Sequence, residues 1–432
     1  MPRVTKRTVC PTGCRITHAV GGAGFRLEKL CQLHYDVHSM DYEHIVTQQQ
    51  LVEFCDRFRG EPTIAFDTEF ISEDSYKPEL CLIQVAVHDK LAVIDPLAVT
   101  DVNPFWELLA APGHETIVHS GRQEFQFCND AIGRRPQGWF DVQVAAGFVG
   151  TEYPAAYASL IAKLLNQRLP KGETRTNWRK RPLSQRQLEY ALHDVLYLQP
   201  IRDLLVQNLD RLGRRTWLSQ ELAVWQDSLE KVEQQERWRR VSGISGLSSR
   251  SLAIVREVWR WRDGEARRRN SPAKRVLRDD LIVELARRKS ADARQIYAVR
   301  GMERGNLKRH LDSLAESVER ALALPDTDCP RLARANNNNA SQYNLPGQFL
   351  NTALGCICRS AKLAPTLVGT VQDVRDLIAY RLHQTADQQP PALTQGWRAE
   401  VVGHLLDDLL AGKSSLRIAD PAAEQPLEIV ES

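Results

Sequence analysis

Residues 63–70 read TIAFDTEF, and two acids stand in this otherwise apolar and β-branched run. Side chains of a strand alternate between its faces, so Asp67 and Glu69 extend from the same face of the predicted strand. Two carboxylates on an apolar strand are costly to bury unless a cation compensates their charge. The stretch therefore predicts a strand that carries a metal site, with a strand end bearing solvated acids as the structural alternative.

The sequence around this strand predicts the rest of a sheet. Two apolar runs, CLIQVAV at 81–87 and LAVI at 91–94, are separated by a gap of hairpin size. Beyond them, short predicted strands at 116–119 and 139–141 alternate with predicted helices. Three strands in a meander followed by alternating helix and strand predict an α/β domain with a mixed sheet.

Two later segments add polar candidates. Glu124 follows one of these short strands and falls on the first turn of the next helix, where the helix dipole alone is a sufficient reason for an acid. Another helix begins with Ser184-x-x-Gln187, a capping box, and carries Tyr190 and Asp194 one above the other. That pair lies off the apolar stripe and can face a cleft; a hydrogen-bonded surface pair is the alternative.

The two strand acids, the acid at the helix start and the Tyr-x-x-x-Asp pair, in this order, resemble the ribonuclease D branch of the DEDD 3′–5′ exonuclease superfamily. Tyr190 stands where other branches carry His, so the resemblance is to the tyrosine-type subgroup. The resemblance spans about residues 45–205 and is carried by FDTEF at 66–70, LCLIQ at 80–84, FDVQ at 140–143, RTNW at 175–178 and RPLSQRQLEYALHDVLYLQPI at 181–201.

The resemblance implies a ribonuclease H-like fold and phosphodiester hydrolysis with two divalent metal ions, Mg²⁺ or Mn²⁺. By carry-over, four acids would hold the metals: Asp67, Glu69, Glu124 and Asp194. Tyr190 would orient the attacking water, because a phenol with an ordinary pKa near ~10 is a poor base at neutral pH.

Glu124 departs from the family pattern, which usually has Asp at this position. Glu can still ligate Mg²⁺, but its extra methylene adds a rotatable bond, so we expect activity that is weakened or shifted toward Mn²⁺. The resemblance implies a 3′→5′ exoribonuclease acting on RNA with a free 3′ end, with tRNA precursors as substrates. Two alternatives stay open: a weakly active or inactive RNA-binding protein on a nuclease scaffold, and a DNA 3′–5′ exonuclease.

The second half of the chain is basic and helical. Residues 231–300 hold 19 Lys and Arg against 9 Asp and Glu, whereas the whole chain has a net charge of +3. A helical segment this basic indicates a phosphate-facing surface, with a solvated face on which charges of both signs mix as the alternative. Residues 245–325 resemble the helical HRDC domain shared by RecQ-type helicases and ribonuclease D, which implies nucleic-acid binding. The candidate phosphate contacts are Arg267, Arg268, Arg269, Lys274 and Arg275. Trp259 and Trp261 could stack on bases, but a place in the core is the favoured interpretation.

These patterns divide the chain into segments. We expect a disordered or wrongly assigned extension at 1–40, an exonuclease domain at 41–210, connecting helices at 211–244 and the HRDC domain at 245–325. A linker with four consecutive Asn is expected at 326–340, a second, diverged HRDC-like domain at 341–415 and a flexible tail at 416–432. The predicted fold class is thus an α/β exonuclease domain followed by all-α HRDC-like domains.

The composition excludes several classes of protein. An apolar share of 43% with 26% charged residues is typical of a globular protein, and no run approaches the ~20 apolar residues that span a bilayer. We therefore expect no membrane partner and a cytoplasmic location. The nine cysteines lack the spacing of a zinc site, so reduced and mostly buried thiols are the favoured interpretation.

Overall fold

A computed structural model describes most of the chain, namely residues 41–169, 176–234, 236–303, 305–332, 343–382, 389–423 and 425–431. The predicted extension at 1–40 and most of the predicted linker therefore lie outside the described residues. No helix within the described ranges is both long and apolar enough to cross a bilayer.

Six strands form one mixed sheet in the order β1-β4-β3-β2-β5-β6. Their bounds are β1 Tyr42–Ile45, β2 Thr63–Ile71, β3 Glu79–Val87, β4 Lys90–Ile94, β5 Glu115–Val118 and β6 Trp139–Asp141. The meander β2-β3-β4 is antiparallel, whereas β2-β5 and β5-β6 are parallel. The predicted mixed sheet is confirmed, and β1 is an addition that the sequence patterns did not predict.

Helices cover this sheet and connect its parallel strands. They are α1 Gln48–Arg57, α2 Asn103–Ala110, α3 Arg122–Ile132, α4 Val142–Gly147, α5 Tyr157–Leu160 with a π-helical turn Ile161–Leu165, α6 Gln185–Leu196 and α7 Leu198–Leu212. The helix predicted to begin at the Ser184 capping box is α6, and Tyr197 separates it from α7. Buried aromatic side chains such as Phe66, Phe105 and Phe125 fill the space between the sheet and its helices.

A long helix, α8 (Arg215–Gln234), leads to a helical module with its own core. The module contains a 3-10 turn Arg237–Arg240, α9 Ser249–Arg268, α10 Ala273–Val276, α11 Asp279–Arg288, α12 Ala293–Tyr297, a 3-10 turn Gly305–His310 and α13 Leu311–Ala323. Trp238 is 1% exposed in this core. Trp259 and Trp261 pack against the same core, and Trp261 donates to Ser313 Oγ at 3.0 Å, so the core interpretation of both is confirmed.

A last block of helices follows: α14 Asn344–Ser360, α15 Pro365–Val368, α16 Val371–Leu382, α17 Gly396–Val402 and α18 Leu405–Leu410. The tail that was expected to be flexible instead forms an antiparallel hairpin of β7 (Ser414–Ile418) and β8 (Leu427–Glu431). In SSLRI and LEIVE, apolar and polar residues partly alternate, which is the period of a strand. The acidic, Pro-containing composition of the tail indicated a flexible segment instead. The six cysteines in the described ranges, at positions 55, 81, 128, 329, 356 and 358, are free thiols and buried, as expected.

Candidate active site

The two strand acids lie near the carboxyl end of β2. β2 and β5 run parallel, and their pairing ends where Ala65 faces Ile117. From Phe66 onward, β2 has no partner among the described strands on the β5 side, so the residues that follow β5 can approach it there. Carboxyl ends of parallel strands meet at one edge of a sheet, and α3 begins at that edge. Glu124, the third residue of α3, is 4% exposed.

The turn between β5 and α3 fits tightly against β6. A Cβ atom on Gly121 would lie 2.5 Å from Val118 Cγ2 and 2.7 Å from Trp139 Cζ2, so no larger residue fits without a shift. The carboxylate of Asp141 accepts hydrogen bonds from the backbone N–H groups of Ser120 at 3.0 Å and Gly121 at 3.1 Å. These contacts fix the start of α3 and with it the third candidate acid. Asp141 belongs to the FDVQ motif, but its sequence context did not reveal this role.

Helix α6 brings Tyr190 and Asp194 close to the two acids of β2. The predicted capping box is present: Ser184 Oγ accepts from Gln187 N at 3.2 Å, and Ser184 N donates to Gln187 Oε1 at 3.0 Å. Tyr190 donates a hydrogen bond to Asp194, and the pKa of its phenol is raised by burial and by nearby carboxylates, Asp194 first. The ring of the buried Trp178 lies 6.2 Å from that of Tyr190, centroid to centroid.

The acids are close enough for the charges of Glu124 and Asp194 to raise the pKa values of Asp67 and Glu69. Burial is the largest cause in each case and raises the pKa of Glu69 to about 8 and the pKa values of Glu124 and Asp194 to about 7. The pKa of Asp67 is raised well above its ordinary value by burial and then by the negative charge of the other three acids. The structure thus brings the five predicted site residues together.

Two neutral side chains that the sequence analysis missed hold these carboxylates. Thr68 Oγ1 donates to Glu124 Oε1 at 2.5 Å, and Gln84 Nε2 donates to Asp67 Oδ2 at 3.1 Å. Gln84 faces Asp67 across β2 and β3 and is fully buried, so a polar residue inside the apolar run CLIQVAV was the available signal. Within the described ranges, no three His, Cys, Asp or Glu side chains converge closely enough to hold a metal ion as they stand.

The five basic candidates lie apart from these acids in the sequence, at the end of α9 and around α10, and each has an acid nearby. The pairs are Arg267–Asp263, Arg268–Glu265, Arg269–Glu265, Lys274–Asp279 and Arg275–Asp74. The Lys274 pair is the loosest of these at 3.8 Å, with the lysine side chain 77% exposed. A cavity of about 440 Å³ is lined by Arg269, Lys274 and Arg275, and also by Arg278, which the sequence analysis did not select.

Comparisons with known proteins identify the same two modules. Residues 42–210 match the family model described as 3'-5' exonuclease, and residues 251–318 match the HRDC domain model. The chain is 34% identical over 373 residues to ribonuclease D of Granulibacter bethesdensis, covering 86% of this chain and 92% of the relative. It is also 34% identical to ribonuclease D of Acidiphilium cryptum, over 90% of this chain and 96% of the relative.

A solved structure extends the similarity to most of the chain. The crystal structure of Escherichia coli RNase D, described as an exoribonuclease involved in structured RNA processing, superposes with a TM-score of 0.73 at 28% identity. The match covers 86% of this chain and 99% of that chain. The predicted fold class, an α/β exonuclease domain followed by helical HRDC-type structure, is therefore confirmed.

Proposed function

The chain belongs to the ribonuclease D family of 3′–5′ exoribonucleases, and on that premise we propose that it shortens RNA from the 3′ end at the cluster of Asp67, Glu69, Glu124, Asp194 and Tyr190. The observation that carries the proposal is that the pKa values of all four acids are raised, by desolvation first and, for Asp67 and Glu69, also by the charges of neighbouring acids. Buried groups with perturbed pKa values are typical of catalytic and metal-binding sites.

The donor set of this cluster suits hard divalent cations. It consists of carboxylate oxygens with no thiolate or imidazole, which is the donor set that Mg²⁺ and Mn²⁺ prefer. The charges of neighbouring acids raise the pKa values of Asp67 and Glu69, and a cation between these carboxylates would relieve that repulsion. The four acids would hold the ions after turning toward a shared point. Bound divalent ions would supply an activated water and stabilise charge on the attacking and leaving oxygens.

The protein's own groups would prepare the reaction. Gln84 fixes one carboxylate oxygen of Asp67 by its 3.1 Å hydrogen bond, so that the other oxygen is oriented. The phenol of Tyr190 stays protonated at neutral pH because its pKa is raised, so it can hold a water by a hydrogen bond but cannot act as a base. Tyr190 is therefore proposed to position the nucleophile.

The basic helical module is proposed to hold the body of the RNA. Arg269, Lys274 and Arg275, together with Arg278, line a cavity whose lining also includes apolar residues such as Leu277 and Leu281. Arg267 and Arg268 lie at the end of α9. Cations and apolar side chains in one cavity suit phosphates and a nucleobase together. Precursors of tRNA, which the family resemblance implies, are the proposed substrates, and the cytoplasm is the proposed location.

Digestion of a 5′-labelled, tRNA-like RNA with a single-stranded 3′ tail tests the proposal. In Mg²⁺ or Mn²⁺ we expect a ladder that shortens from the 3′ end, and none in EDTA. Asp67→Ala should abolish the ladder and leave RNA binding nearly intact. Asp89→Ala, an exposed acid in the turn between β3 and β4, is the matched control and should cut like the wild type.

Other outcomes would identify the alternatives. Salt-sensitive RNA binding without shortening in either metal would make the chain a binding protein on a nuclease scaffold. Equal loss of cutting and binding in Asp67→Ala would argue against its role as a metal ligand. A matched DNA strand that is cut faster than the RNA would reassign the substrate.

A further inference from the structure

The loop between β2 and β3 (residues 72–78), called here the β2–β3 loop, binds the helical module. The hydroxyl of Tyr76 donates to Asp263 Oδ1 at 2.9 Å and accepts from Arg267 Nε at 2.9 Å. The Arg267 guanidinium also lies 5.2 Å from the centre of the tyrosine ring. The backbone N–H of Tyr76 donates to Asn270 Oδ1 at 3.2 Å. A loop of the sheet domain is thus held by side chains that lie about 190 residues later in the chain.

Asp74, in the same loop, joins two arginines from different parts of the chain. Arg275 of α10 approaches Asp74 Oδ1 at 2.8 Å, and Arg179 approaches Asp74 Oδ2 at 3.5 Å. Arg179 also pairs with Glu79, at the start of β3, at 2.7 Å. The carboxylate therefore links the helical module to the segment that precedes α6.

That segment leads directly to the candidate active site. Arg179 follows Trp178, whose side chain is 5% exposed and packs against Tyr190 with 6.2 Å between ring centroids. The contacts form a continuous series from Arg275 through Asp74, Arg179 and Trp178 to Tyr190. A shift of Arg179 would move its neighbour Trp178, and with it the support of the Tyr190 ring.

The β2–β3 loop and its flanks also contact the other elements that carry the acids. The loop begins three residues after Glu69, and the preceding Phe70 packs on Phe127 of α3 with ring centroids 5.8 Å apart. Lys77 of the loop pairs with Asp130 of α3 at 2.8 Å. β2, α3 and the segment before α6 are thus all joined to the loop that the helical module holds.

We propose that Asp74 is a positioning residue, through which Arg275 of the helical module sets the orientation of Tyr190 by way of Arg179 and Trp178. The inference rests on the proposed function, and it gives the helical module a part in the catalytic step besides RNA binding. A single exposed ion pair contributes little. Here the pair is one member of a network that also includes the hydrogen bonds of Tyr76, and small displacements of a catalytic group have large effects on rate.

The test compares Arg275→Ala and Asp74→Ala in the full-length chain on two substrates. One is the tailed RNA, and the other is an RNA dinucleotide, which has one scissile bond and no RNA body for the helical module. On the dinucleotide we expect kcat to fall about tenfold in both variants with KM little changed. The conservative Arg275→Lys and Asp74→Glu should recover most of the rate. Arg288→Ala removes a half-exposed arginine of α11 that pairs with Glu284 of its own helix, and should match the wild type.

Hydrogen exchange provides a readout that does not depend on turnover. Amides of residues 176–183 should exchange faster in Arg275→Ala than in the wild type and Arg288→Ala. An unchanged dinucleotide kcat together with unchanged exchange in Arg275→Ala would overturn the coupling. If the wild type hydrolyses neither substrate, the proposed function fails, and the exchange of residues 176–183 still decides whether Arg275 supports this segment.

Discussion

The hydroxyl of Thr68 donates a 2.5 Å hydrogen bond to Glu124 Oε1, and both side chains are almost completely buried. Thr68 stands between Asp67 and Glu69 in β2, so strand alternation directs its side chain to the opposite face from theirs. Because β5 pairs with β2 only as far as Ala65, the start of α3 lies beside this part of the strand. The side chain of Glu124, one methylene longer than the usual Asp, is thus hydrogen-bonded to Thr68, which extends from the face of β2 opposite to Asp67 and Glu69.

Replacement of Glu124 by Asp tests what this bond does to metal preference. Mg²⁺ demands near-ideal octahedral geometry, and a carboxylate held by Thr68 on a longer side chain meets that demand poorly. We therefore expect Glu124→Asp to raise the activity in Mg²⁺ relative to that in Mn²⁺. Thr68→Val removes the same hydrogen bond without changing the ligand and should shift the ratio in the same direction. Steady-state digestion in each metal measures the ratio; a ratio unchanged in both variants would contradict the explanation.

The raised pKa values predict how stability depends on pH in EDTA. The folded-state pKa is about 8 for Glu69 and about 7 for Glu124, both above the ordinary value of 4.5. The folded protein therefore binds more protons than the unfolded chain, and the free energy of unfolding falls as the pH rises between about 4 and 8. Glu69→Gln removes one carboxyl with a raised pKa, so the free energy of unfolding of the variant should fall less over this pH range than that of the wild type.

Urea denaturation in EDTA at several pH values between 5 and 8 measures this difference. A matched exposed variant, Glu53→Gln on α1, should follow the wild type. With Mn²⁺ in place of EDTA, the trend should weaken or reverse, because metal ligands bind in their deprotonated form. If the free energies of unfolding of Glu69→Gln and the wild type change with pH in parallel, the carboxyl of Glu69 has its ordinary pKa in the folded protein.

Much of this site could be predicted from the sequence because local rules determine it. Strand alternation places Asp67 and Glu69 on one face, and the Ser184 capping box starts the helix that carries Tyr190. These features need only a few neighbouring residues, so their patterns are visible in the chain. The resemblance to known exonucleases then supplied the order in which distant motifs combine.

The contacts that no local pattern specifies were not predicted. The hydrogen bond of Thr68 depends on where the pairing of β5 stops, which is a property of the assembled sheet. The positive charge of the helical module was visible in its composition, and four of its five candidate cations pair with acids within five residues of them. The fifth pair was not visible, because Arg275 pairs with Asp74 about 200 residues away. Long-range pairs of this kind follow from packing between modules, which a single sequence does not specify.

The phenol of Tyr190 should affect the rate through its position. Tyr190→Phe removes the hydroxyl and keeps the ring against Trp178, so the fold should be unchanged. We expect kcat to fall by about a hundredfold with KM nearly constant, as for loss of a group that orients a reactant. The pH dependence of the wild-type rate should also show no step from ionisation of this phenol below pH ~9, because the pKa of the phenol is raised. Tyr380→Phe on α16 is the matched control. A full rate in Tyr190→Phe would show that the hydroxyl is dispensable.

Arg214 connects the last helical block to the sheet domain. Its guanidinium donates to the backbone carbonyls of Phe148 at 2.7 Å and Lys362 at 2.8 Å, and also to that of Ala361, and the residue is 7% exposed. Arg214→Met keeps much of the apolar volume but leaves three buried or partly buried carbonyls without this donor. Unsatisfied groups of this kind cost about 1–3 kcal/mol each, so we expect a loss of about 2–4 kcal/mol after partial rehydration.

The loss should be concentrated in the last block. In Arg214→Met, trypsin should cleave residues 343–431 faster than in the wild type, and the midpoint of thermal unfolding should fall. Arg215→Ala removes the next arginine, whose side chain is 42% exposed and pairs with Asp210 at 3.2 Å, and should leave both measurements unchanged. Dinucleotide hydrolysis should survive in Arg214→Met, because Arg214 contacts none of the candidate acids in the described part of the chain. Equal protease resistance in the two variants would mean that apolar packing alone holds the block in place.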